Sequence, residues 1–384
     1  MMTFDRTNRS ALAEWWWTSD RWLFATVSAL MFAGVLLGMA ASPAIAEKLR
    51  YDTFHFVSRQ IVFAVLALTV MMMVSLLKLR DIRRLSLAGF FAGIVLMGLA
   101  VAIGPEVKGA HRWLDFGPLS IQPSEFTKPA FVVLCAACLA QWQRTGQPIG
   151  PIAGILIYGV FVAMLVQQPD FGQTLLVTVT FGALLFFAGI SLWIMGVFAG
   201  MGAGAAVLAY TFFPHVQSRV DRFLNPDSGD TFQVDRAMRA LEHGGFLGVG
   251  PGEGTVKASI PDAHTDFIMA VVGEEFGLAA CMVLAAVFCF LVLRALHRSV
   301  QCPDAFSQIA AAGLAVMLGL QAVINMSVNL QLIPAKGMTL PFISYGGSSM
   351  LALAFQMGLV LALTRRRFEP IRLTAGFGRY GGGE

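Results

Sequence analysis

Residues 171–213, FGQTLLVTVTFGALLFFAGISLWIMGVFAGMGAGAAVLAYTFF, contain no charged side chain. A helix that crosses a membrane needs about 20 mostly apolar residues. This stretch therefore predicts two successive membrane-spanning helices, at 171–189 and 191–213. The rest of the chain has to be compatible with them, which makes a polytopic helical membrane protein the first hypothesis.

The composition agrees with that hypothesis. Of the 384 residues, 57% are hydrophobic and 13% are charged, against roughly a quarter charged in soluble domains. The mean hydropathy is +0.69. These values exclude a soluble enzyme, a disordered chain and a disulfide-stapled secreted module. The net charge of +4 is small for this length, so nucleic acid is not an expected partner.

Ten apolar stretches are long enough to be considered as spans. They predict an all-α membrane domain of ten helices over residues 22–363, between an N-terminal segment 1–21 and a C-terminal tail 364–384. The predicted spans are 22–42, 57–77, 86–104, 127–142, 149–167, 171–189, 191–213, 267–293, 306–333 and 341–363.

Lysine and arginine clusters predict the orientation of the bundle. Three clusters fall on one side of a ten-span topology, and positively charged short loops are retained in the cytoplasm. Both termini are therefore predicted to be cytoplasmic. The clusters are Lys78, Arg80, Arg83 and Arg84 after the second span, Arg294 and Arg298 after the eighth, and Arg365, Arg366 and Arg367 after the tenth.

Three segments on the opposite, periplasmic side are too long to be simple connections: 105–126, 214–266 and 334–349. Loops of more than about 12–15 residues commonly carry function. The segment 214–266 is rich in both arginine and aspartate. Mixed charge beside a bilayer indicates a site for a charged ligand.

Asp266 is the leading candidate for chemistry because it lies where the polar segment 214–266 meets the eighth span. A carboxylate there could act as a general base toward a substrate hydroxyl at the membrane surface. The alternative is structural, since aspartate is a common N-cap that accepts a backbone N–H bond. Capping would lower its pKa and desolvation would raise it, and both interpretations stay open.

Charged residues near other span ends have similar alternatives. Glu125 and Lys128 are three residues apart at the start of the fourth span, where they can pair, either as an architectural ion pair or as part of a site. Asp170 follows Pro169 in a tight connection, where it is either a helix cap or a site residue. Four further polar residues are predicted to face the bundle interior or neighbouring helices: Glu274, Glu275, Asn325 and Asn329.

The glycine-rich stretch 248–254, GVGPGEG, precedes Lys257. The absence of a following Lys-Ser/Thr pair disfavours a nucleotide loop. A flexible outer loop is the main interpretation, and main-chain N–H groups that bind a phosphate together with Lys257 are the alternative. His264 and Asp266 alone are too few to predict a metal site.

Four motifs, in this order, resemble the signatures of the SEDS family (shape, elongation, division and sporulation). They are GAHRWLDFGPLSIQPSEFTKPA, QPDFGQT, PDAHTDFIMAVVGEEFG and IPAKGMTLPFISYGGSS. The resemblance runs from about residue 20 to 365. AKGMTLPFISYGGSS resembles the version found in division-type members, and GVGPGEGTVKASIPDAHTDF is most similar to that of division-type members from alphaproteobacteria.

The resemblance implies a peptidoglycan glycosyltransferase of the bacterial inner membrane that acts at the division septum. Its substrates would be lipid II and a growing glycan on undecaprenyl pyrophosphate. The family's catalytic aspartate matches Asp266, and its outer ion pair matches Glu125 and Lys128. The implied partners are a class B penicillin-binding transpeptidase, other divisome proteins and membrane lipid.

The reaction that the resemblance implies needs one carboxylate base and cations beside the leaving pyrophosphate. Mg²⁺ or Mn²⁺ is the one cofactor left open, and no metal ligands are assigned. The other residues expected to bind substrate or support the site are Arg112, Gln122, Ser124, Asp170, Arg219, Arg222, Lys257, His264, Lys336 and Ser344.

Three other functions fit the same membrane architecture. A lipid II flippase predicts charged residues near the midplane of the bilayer and an internal repeat. A non-catalytic divisome scaffold predicts that Asp266 is only a cap. An elongation-type polymerase would use the same chemistry at another cellular location.

Overall fold

The computed structural model of the protein describes residues 11–48, 52, 54–107, 109–117, 119–212, 216–218, 221, 232–334 and 337–366. The structure is mainly helical over these ranges. The helices of the first part are α1 (Ala11–Thr18), α2 (Arg21–Lys48), α3 (His55–Ser75), α4 (Leu79–Ile103), α5 (Pro123–Thr145) and α6 (Ile149–Gln167). Those of the second part are α7 (Phe171–Phe187), α8 (Leu192–Phe212), α9 (Phe232–Gly244), α10 (Ile268–Val300), α11 (Ala305–Asn329) and α12 (Gly347–Leu363).

Each predicted span overlaps one helix, which confirms the helical membrane fold. Among the residues that the structure describes, eight helices are long and apolar enough to cross a bilayer: α2 to α6, α8, α10 and α11. The helices α7 and α12 are apolar but have 17 residues each, or about 26 Å at 1.5 Å per residue. That length falls short of the roughly 30 Å of hydrocarbon, so the count of ten spans stays a prediction.

Two predicted span boundaries differ from the structure for physical reasons. The helix of the fourth predicted span, α5, starts at Pro123 rather than 127, because proline suits the first helical turn and the charges of Glu125 and Lys128 are paired. The last helix starts at Gly347 rather than 341. The residues before it form a turn in which Phe342 has a φ of 63°, a backbone conformation that a helix cannot contain.

Two of the segments predicted to be periplasmic contain regular structure that the sequence analysis missed. The first has a short antiparallel hairpin, β1 (Leu114–Phe116) with β2 (Leu119–Ile121). The second contains the amphipathic helix α9 and a 3₁₀ turn, Val256–Ser259. The segment 214–266 is therefore not an irregular loop in the part that the structure describes.

The helix α10 is kinked at Gly277, where φ is 78° and ψ is 177°. A Cβ atom at this position would collide with the carbonyl oxygen of Phe246. The two main-chain N–H groups after the kink donate to the loop that follows α9, from Leu278 to Gly245 (3.0 Å) and from Ala279 to Phe246 (3.1 Å). Glycine is needed at the kink for both reasons.

A buried carboxylate organises one end of the bundle. Asp20, just before α2, forms ion pairs with Arg294 (3.0 Å) and Arg298 from the last turns of α10. Nearby, Arg365 pairs with Glu14 at 3.1 Å after α12. The chain segments before α2 and after α12 therefore meet at the same end, which we call the basic end.

Two helices give the same level for the opposite membrane boundary. About 20 helical residues cross the hydrocarbon, so a span that begins at Arg21 reaches the boundary near Ala40, and one that ends at Arg294 starts near Glu274. The structure joins these two levels directly. The buried ammonium of Lys257 donates to the carbonyl of Ala40 (3.0 Å) and pairs with Glu275. Asp266 lies beyond this boundary, at what we call the Asp266 end.

We predict that Asp20→Asn lowers the free energy of unfolding by about 2 kcal/mol, because Arg294 and Arg298 lose the buried carboxylate that neutralises them. The loss is not larger because both arginines are partly exposed to water. Thermal unfolding in detergent measures the change. Asp81→Asn is the matched control, since Asp81 is an exposed aspartate in the first turn of α4.

The difference in stability between wild type and Asp20→Asn is expected to depend on pH. Burial raises the pKa of Asp20, but the hydrogen bonds from Arg298, Leu23 and Arg294 together lower it by more than burial raises it. The net pKa is therefore below the ordinary value. A lowered carboxyl pKa stabilises the fold above the ordinary aspartate pKa, and the stabilisation is lost as the pH falls through the lowered value. The difference between wild type and Asp20→Asn should shrink below about pH 4; a difference that grows there would contradict the assignment.

Candidate active site

Asp266 lies in a series of turns, residues 261–267, that connects the 3₁₀ turn to α10. The N-cap position of α10 is occupied by Phe267, without a side-chain cap. Asp266 is therefore not the N-cap residue of this helix. Asp266 is partly exposed, so the residue lies at the surface of the bundle.

Two amides of α11 hold the main chain of Asp266. Asn325 Nδ2 and Asn329 Nδ2 donate to its carbonyl oxygen at 2.9 and 3.1 Å. Asn329 Oδ1 also accepts from the N–H of Ala270 at 3.2 Å. Both amides are buried, and their i, i+4 spacing puts them on one face of the helix. The prediction that they hydrogen-bond neighbouring helices is confirmed for Asn329, which binds Ala270 of α10, whereas Asn325 binds the non-helical segments at Asp266 and Met338.

The segment before α12 borders Asp266 on a second side. Asn325 Nδ2 also donates to the carbonyl of Met338 at 2.6 Å. Ser344 Oγ donates to the carbonyl of Thr265 and accepts from the N–H of Leu340 at 2.8 Å. A Cβ atom on Gly337 would lie 3.6 Å from Asp266 Oδ2. Ser344 thus connects the last two sequence motifs next to Asp266.

His264 belongs to an aromatic cluster beside this segment. Its ring centroid is 5.0 Å from that of Phe56 and 5.4 Å from that of Tyr345. Burial lowers the pKa of His264, and the charge of Asp262 raises it less. The imidazole is therefore neutral near pH 7 and does not supply a positive charge to a pyrophosphate.

Arg59 is a cation at this end that the sequence analysis did not select. It lies in the second turn of α3 and is partly exposed. Burial raises the pKa of Tyr345, whereas the charge of Arg59 lowers it, which indicates that the two side chains are neighbours. The available signal was an arginine close to the start of the second predicted span, at the end where Asp266 lies.

Glu125 and Lys128 form a buried ion pair at 2.9 Å, as their spacing predicts. Gln173 of α7 completes the group, since its amide donates to Glu125 at 2.6 Å and its oxygen accepts from Lys128 at 2.9 Å. Ser124 is buried beside the pair, and Gln122 occupies the N-cap position of α5. This polar group joins α5 to α7 inside the bundle.

Asp170 is the N-cap of α7, where it accepts from the N–H of Gln173 at 3.2 Å. Arg112 approaches it at 3.5 Å and also donates to the carbonyls of Gln168 (3.0 Å) and Pro169. Burial raises the pKa of Asp170, and the charge of Arg112 is the main opposing effect. The capping interpretation of Asp170 is confirmed, and Arg112 fixes the connection between α6 and α7.

Lys257 is placed differently from the expectation. Its side chain is 9% exposed and its ammonium is bound to Glu275. The sequence analysis treated it as an outer cation available to a phosphate, which is wrong for this arrangement. The error arose because the counter-charge comes from a helix 18 residues further along the chain.

The phosphate-loop alternative for residues 248–254 is also wrong. The N–H groups of Val249 and Gly250 donate to the carbonyls of Glu274 (2.9 Å) and Glu275 (3.0 Å). The N–H groups of Val256 and Lys257 donate to the Glu274 carboxylate, each at 2.7 Å. These donors are used within the protein, and the loop is packed on α10 rather than free. Glu274 and Glu275 are buried as predicted.

The remaining predicted residues, Arg219, Arg222 and Lys336, lie outside the described residues. Lys336 directly precedes Gly337, which borders Asp266. Within the described ranges, no group of three or more His, Cys, Asp or Glu side chains could hold a metal ion.

The chain is similar to known proteins over nearly its full length. It is 46% identical over 366 residues to the "Probable peptidoglycan glycosyltransferase FtsW" of Caulobacter vibrioides, covering 95% of this chain and 94% of that protein. It is 34% identical over 358 residues to the protein of the same name from Coxiella burnetii, covering 90% and 96%. The resemblance to a division-type alphaproteobacterial member is thereby confirmed.

Solved structures share the fold. A chain of the structure described as "Structural coordination of polymerization and crosslinking by a peptidoglycan synthase complex" matches with a TM-score of 0.75 and 28% identity, over 92% of this chain and 99% of that chain. The rod shape determining protein RodA of Thermus thermophilus matches with a TM-score of 0.67 and 27% identity, over the same shares. The model of the family "Cell cycle protein", which groups FtsW, RodA and SpoVE, matches residues 20–368. The chain belongs to this family, the SEDS family that its motifs indicate.

Proposed function

We propose that this protein is a peptidoglycan glycosyltransferase that polymerises lipid II into glycan strands during septal cell-wall synthesis. The single observation that carries the proposal is the position of Asp266, a partly exposed residue whose main chain is fixed by Asn325 and whose carboxylate lies beside Gly337. The names of the FtsW relatives support the reaction class.

The proposed reaction is an inverting displacement. The 4-hydroxyl of the GlcNAc of an incoming lipid II attacks C1 of the sugar at the reducing end of the growing glycan. As the new C–O bond forms, the Asp266 carboxylate takes the hydroxyl proton. The C–O bond to undecaprenyl pyrophosphate breaks, and the pyrophosphate leaves with the electron pair. Because pyrophosphate is a good leaving group, one carboxylate suffices, whereas glycosidases use two.

The depth of Asp266 agrees with a substrate that is half lipid and half sugar. The membrane boundary near Glu274 lies six helical residues after Ile268, or about 9 Å along the axis. Polar headgroups occupy about 5–8 Å on each side of the hydrocarbon. Asp266 is therefore at the level where the sugars of a lipid-linked substrate stand, while the isoprenoid tail stays between the spans.

Cations have to stabilise the charge that develops on the leaving pyrophosphate. Lys257 is excluded by its bond to Glu275, and Arg112 is engaged with Asp170 and two carbonyls. Arg59 lies three residues after Phe56 of the aromatic cluster on α3, and we add it to the proposed site because of this position. Arg219, Arg222 and Lys336 keep their proposed role, and we derive no step through a divalent cation.

We propose that the basic end faces the cytoplasm and the Asp266 end faces the periplasm. Asp20 and the arginines that it binds gather at one end, as the retention of positive charge in the cytoplasm requires. The proposed location is the division septum of the inner membrane. The proposed partners are a class B penicillin-binding transpeptidase of the FtsI type and other divisome proteins, and the similarity to a chain of a peptidoglycan synthase complex supports the first of these.

We predict that Asp266→Asn reduces polymerisation by about 10²–10⁴-fold, because it removes the general base while keeping the size of the side chain. The measurement is glycan-strand synthesis from labelled lipid II by the purified protein with its transpeptidase. Moenomycin is present to inhibit contaminating glycosyltransferases of the moenomycin-sensitive class. Asp115→Asn is the control, since Asp115 is an exposed aspartate of the hairpin at the same end.

Each outcome of this assay has a distinct meaning. Polymer from wild type and Asp115→Asn only would support the base assignment. Equal polymer from Asp266→Asn would keep the enzyme but remove the base. No polymer from the intact wild-type complex would contradict the proposed activity and favour a flippase or a scaffold.

We predict that Asn325→Leu lowers the polymerisation rate more than Gln356→Leu does, at a similar loss of stability. The substitution leaves the carbonyls of Asp266 and Met338 without this donor, at a cost of about 1–3 kcal/mol, and it releases the segment that positions the carboxylate. Gln356→Leu is the matched control. Gln356 is also a buried amide, and it donates to the carbonyl of Leu314 at 2.8 Å in the bundle. Equal activity loss in both variants would refute the positioning role.

We predict that the Glu125–Lys128 pair is strongly coupled. Glu125→Gln or Lys128→Gln alone should cost about 3 kcal/mol, because each leaves one buried charge without its counter-charge, whereas the double substitution should cost less than the sum. Thermal unfolding of the four proteins in a double-mutant cycle measures the coupling. Additive effects would show that the pair does not stabilise the contact between α5 and α7.

A further inference from the structure

The turn after α9 exposes two large apolar side chains in an otherwise polar segment. Phe246 is 61% exposed and Leu247 is 79% exposed. On either side of them, Gly245 and Gly248 have φ values of 57° and 84°. A Cβ on Gly248 would collide with the carbonyl of Glu275, so this turn is held close to α10 while its two side chains point away from the core.

The turn lies at the level of the membrane rather than above it. The carbonyls of Gly245 and Phe246 accept from the N–H groups of Leu278 and Ala279. Counting from Arg294, the hydrocarbon begins near Glu274, since about 20 helical residues cross it. Residues 278 and 279 are one turn inside that boundary, and the turn is bonded directly to them.

The neighbouring surface of α10 is apolar and exposed. Leu278, Met282 and Val283 are 46%, 50% and 62% exposed, respectively. On a helix that spans a bilayer, such a face contacts acyl chains. Phe246 and Leu247 continue this face toward the Asp266 end. The acyl chains that cover this face of α10 therefore also fit these two side chains.

We propose that Phe246 and Leu247 insert into the acyl-chain region of the leaflet at the Asp266 end, and that they attach the segment containing α9 to the membrane. The polar face of α9 carries Arg239, Glu242 and His243, which are exposed and remain in water. Aromatic and aliphatic side chains on one side and charged side chains on the other are typical of an element that lies in the membrane interface.

The membrane attachment would fix the position of the site. The chain runs from the turn through the 3₁₀ turn at Val256–Ser259 to Asp266, and Glu274 binds the N–H groups of Val256 and Lys257 on the way. A segment held at both the turn and Glu274 keeps Asp266 at a constant distance from the boundary. The inference requires only that the helices span a bilayer, and it is independent of the catalytic role of Asp266.

The test is photocrosslinking of the full chain in nanodiscs of phosphatidylethanolamine and phosphatidylglycerol. Leu247 is replaced by p-benzoylphenylalanine. The same replacement of Met282 on the lipid-facing side of α10 is the positive control, and that of Glu242 on the polar face of α9 is the negative control. We expect the yield of lipid adducts at position 247 to be similar to that at 282 and about tenfold above that at 242. The reason is that burying large apolar side chains away from water is favourable, which keeps position 247 among the acyl chains.

A second variant tests the insertion itself. Phe246→Asp places a charge next to the probe, and a charged side chain is strongly disfavoured in hydrocarbon. We expect it to reduce lipid adducts at position 247 about tenfold, because the transfer cost of one charge exceeds 1.4 kcal/mol. Glu242→Gln in the same background should leave them unchanged.

Two results would overturn the proposal. One is a probe at position 247 that gives no more lipid adduct than the probe at 242, which would place the turn in water. The other is crosslinking at 247 to a co-reconstituted transpeptidase in place of lipid, which would make the turn a protein-docking surface. Both crosslinking results are independent of glycan polymerisation. A failure of the proposed enzymatic activity would therefore not change them.

Discussion

The buried charges at the membrane boundary determine how the segment 232–266 is attached to the helices. Lys257 cannot enter the apolar environment beside Ala40 without a counter-charge, and Glu275 supplies it. The adjacent Glu274 accepts the N–H groups of two residues of the 3₁₀ turn and lies 3.0 Å from the ring of His243. Removing a buried charge from such a group leaves its partner unpaired, so α2, α9 and α10 meet in one arrangement.

The same constraint explains why the other polar residues of the bundle occur in groups. Lys128 is one of the largest fully buried side chains, and it is tolerated because Glu125 and Gln173 bind it. Asp170 is likewise buried and is compensated by Arg112. In a bilayer, water does not compensate a missing partner. These groups therefore hold helices together at defined levels, whereas Asp266 is partly exposed and is not part of such a buried group.

The sequence analysis predicted what depends on local pattern. Apolar length gave the helices, and an i, i+3 spacing gave the pair of Glu125 and Lys128. Contacts between residues that are distant in the chain could not be predicted from the sequence. Nothing near Lys257 indicates that Glu275 neutralises it, and nothing near Asp266 indicates that Asn325 holds its carbonyl. The motif resemblance supplied the importance of Asp266, but its environment required the structure, and Arg59 was missed because one arginine at a span end is common.

The position of Asp266 also bears on how a carboxylate can act as a base there. Its main-chain carbonyl is held by two amides, so its position is fixed without using the carboxylate oxygens for those bonds. A carboxylate that capped α10 would be stabilised in its charged form and would be a weaker base. The N-cap position of α10 is taken by Phe267 instead. A fixed main chain near the membrane surface suits proton abstraction from a lipid-linked sugar, since the substrate is itself held at that surface.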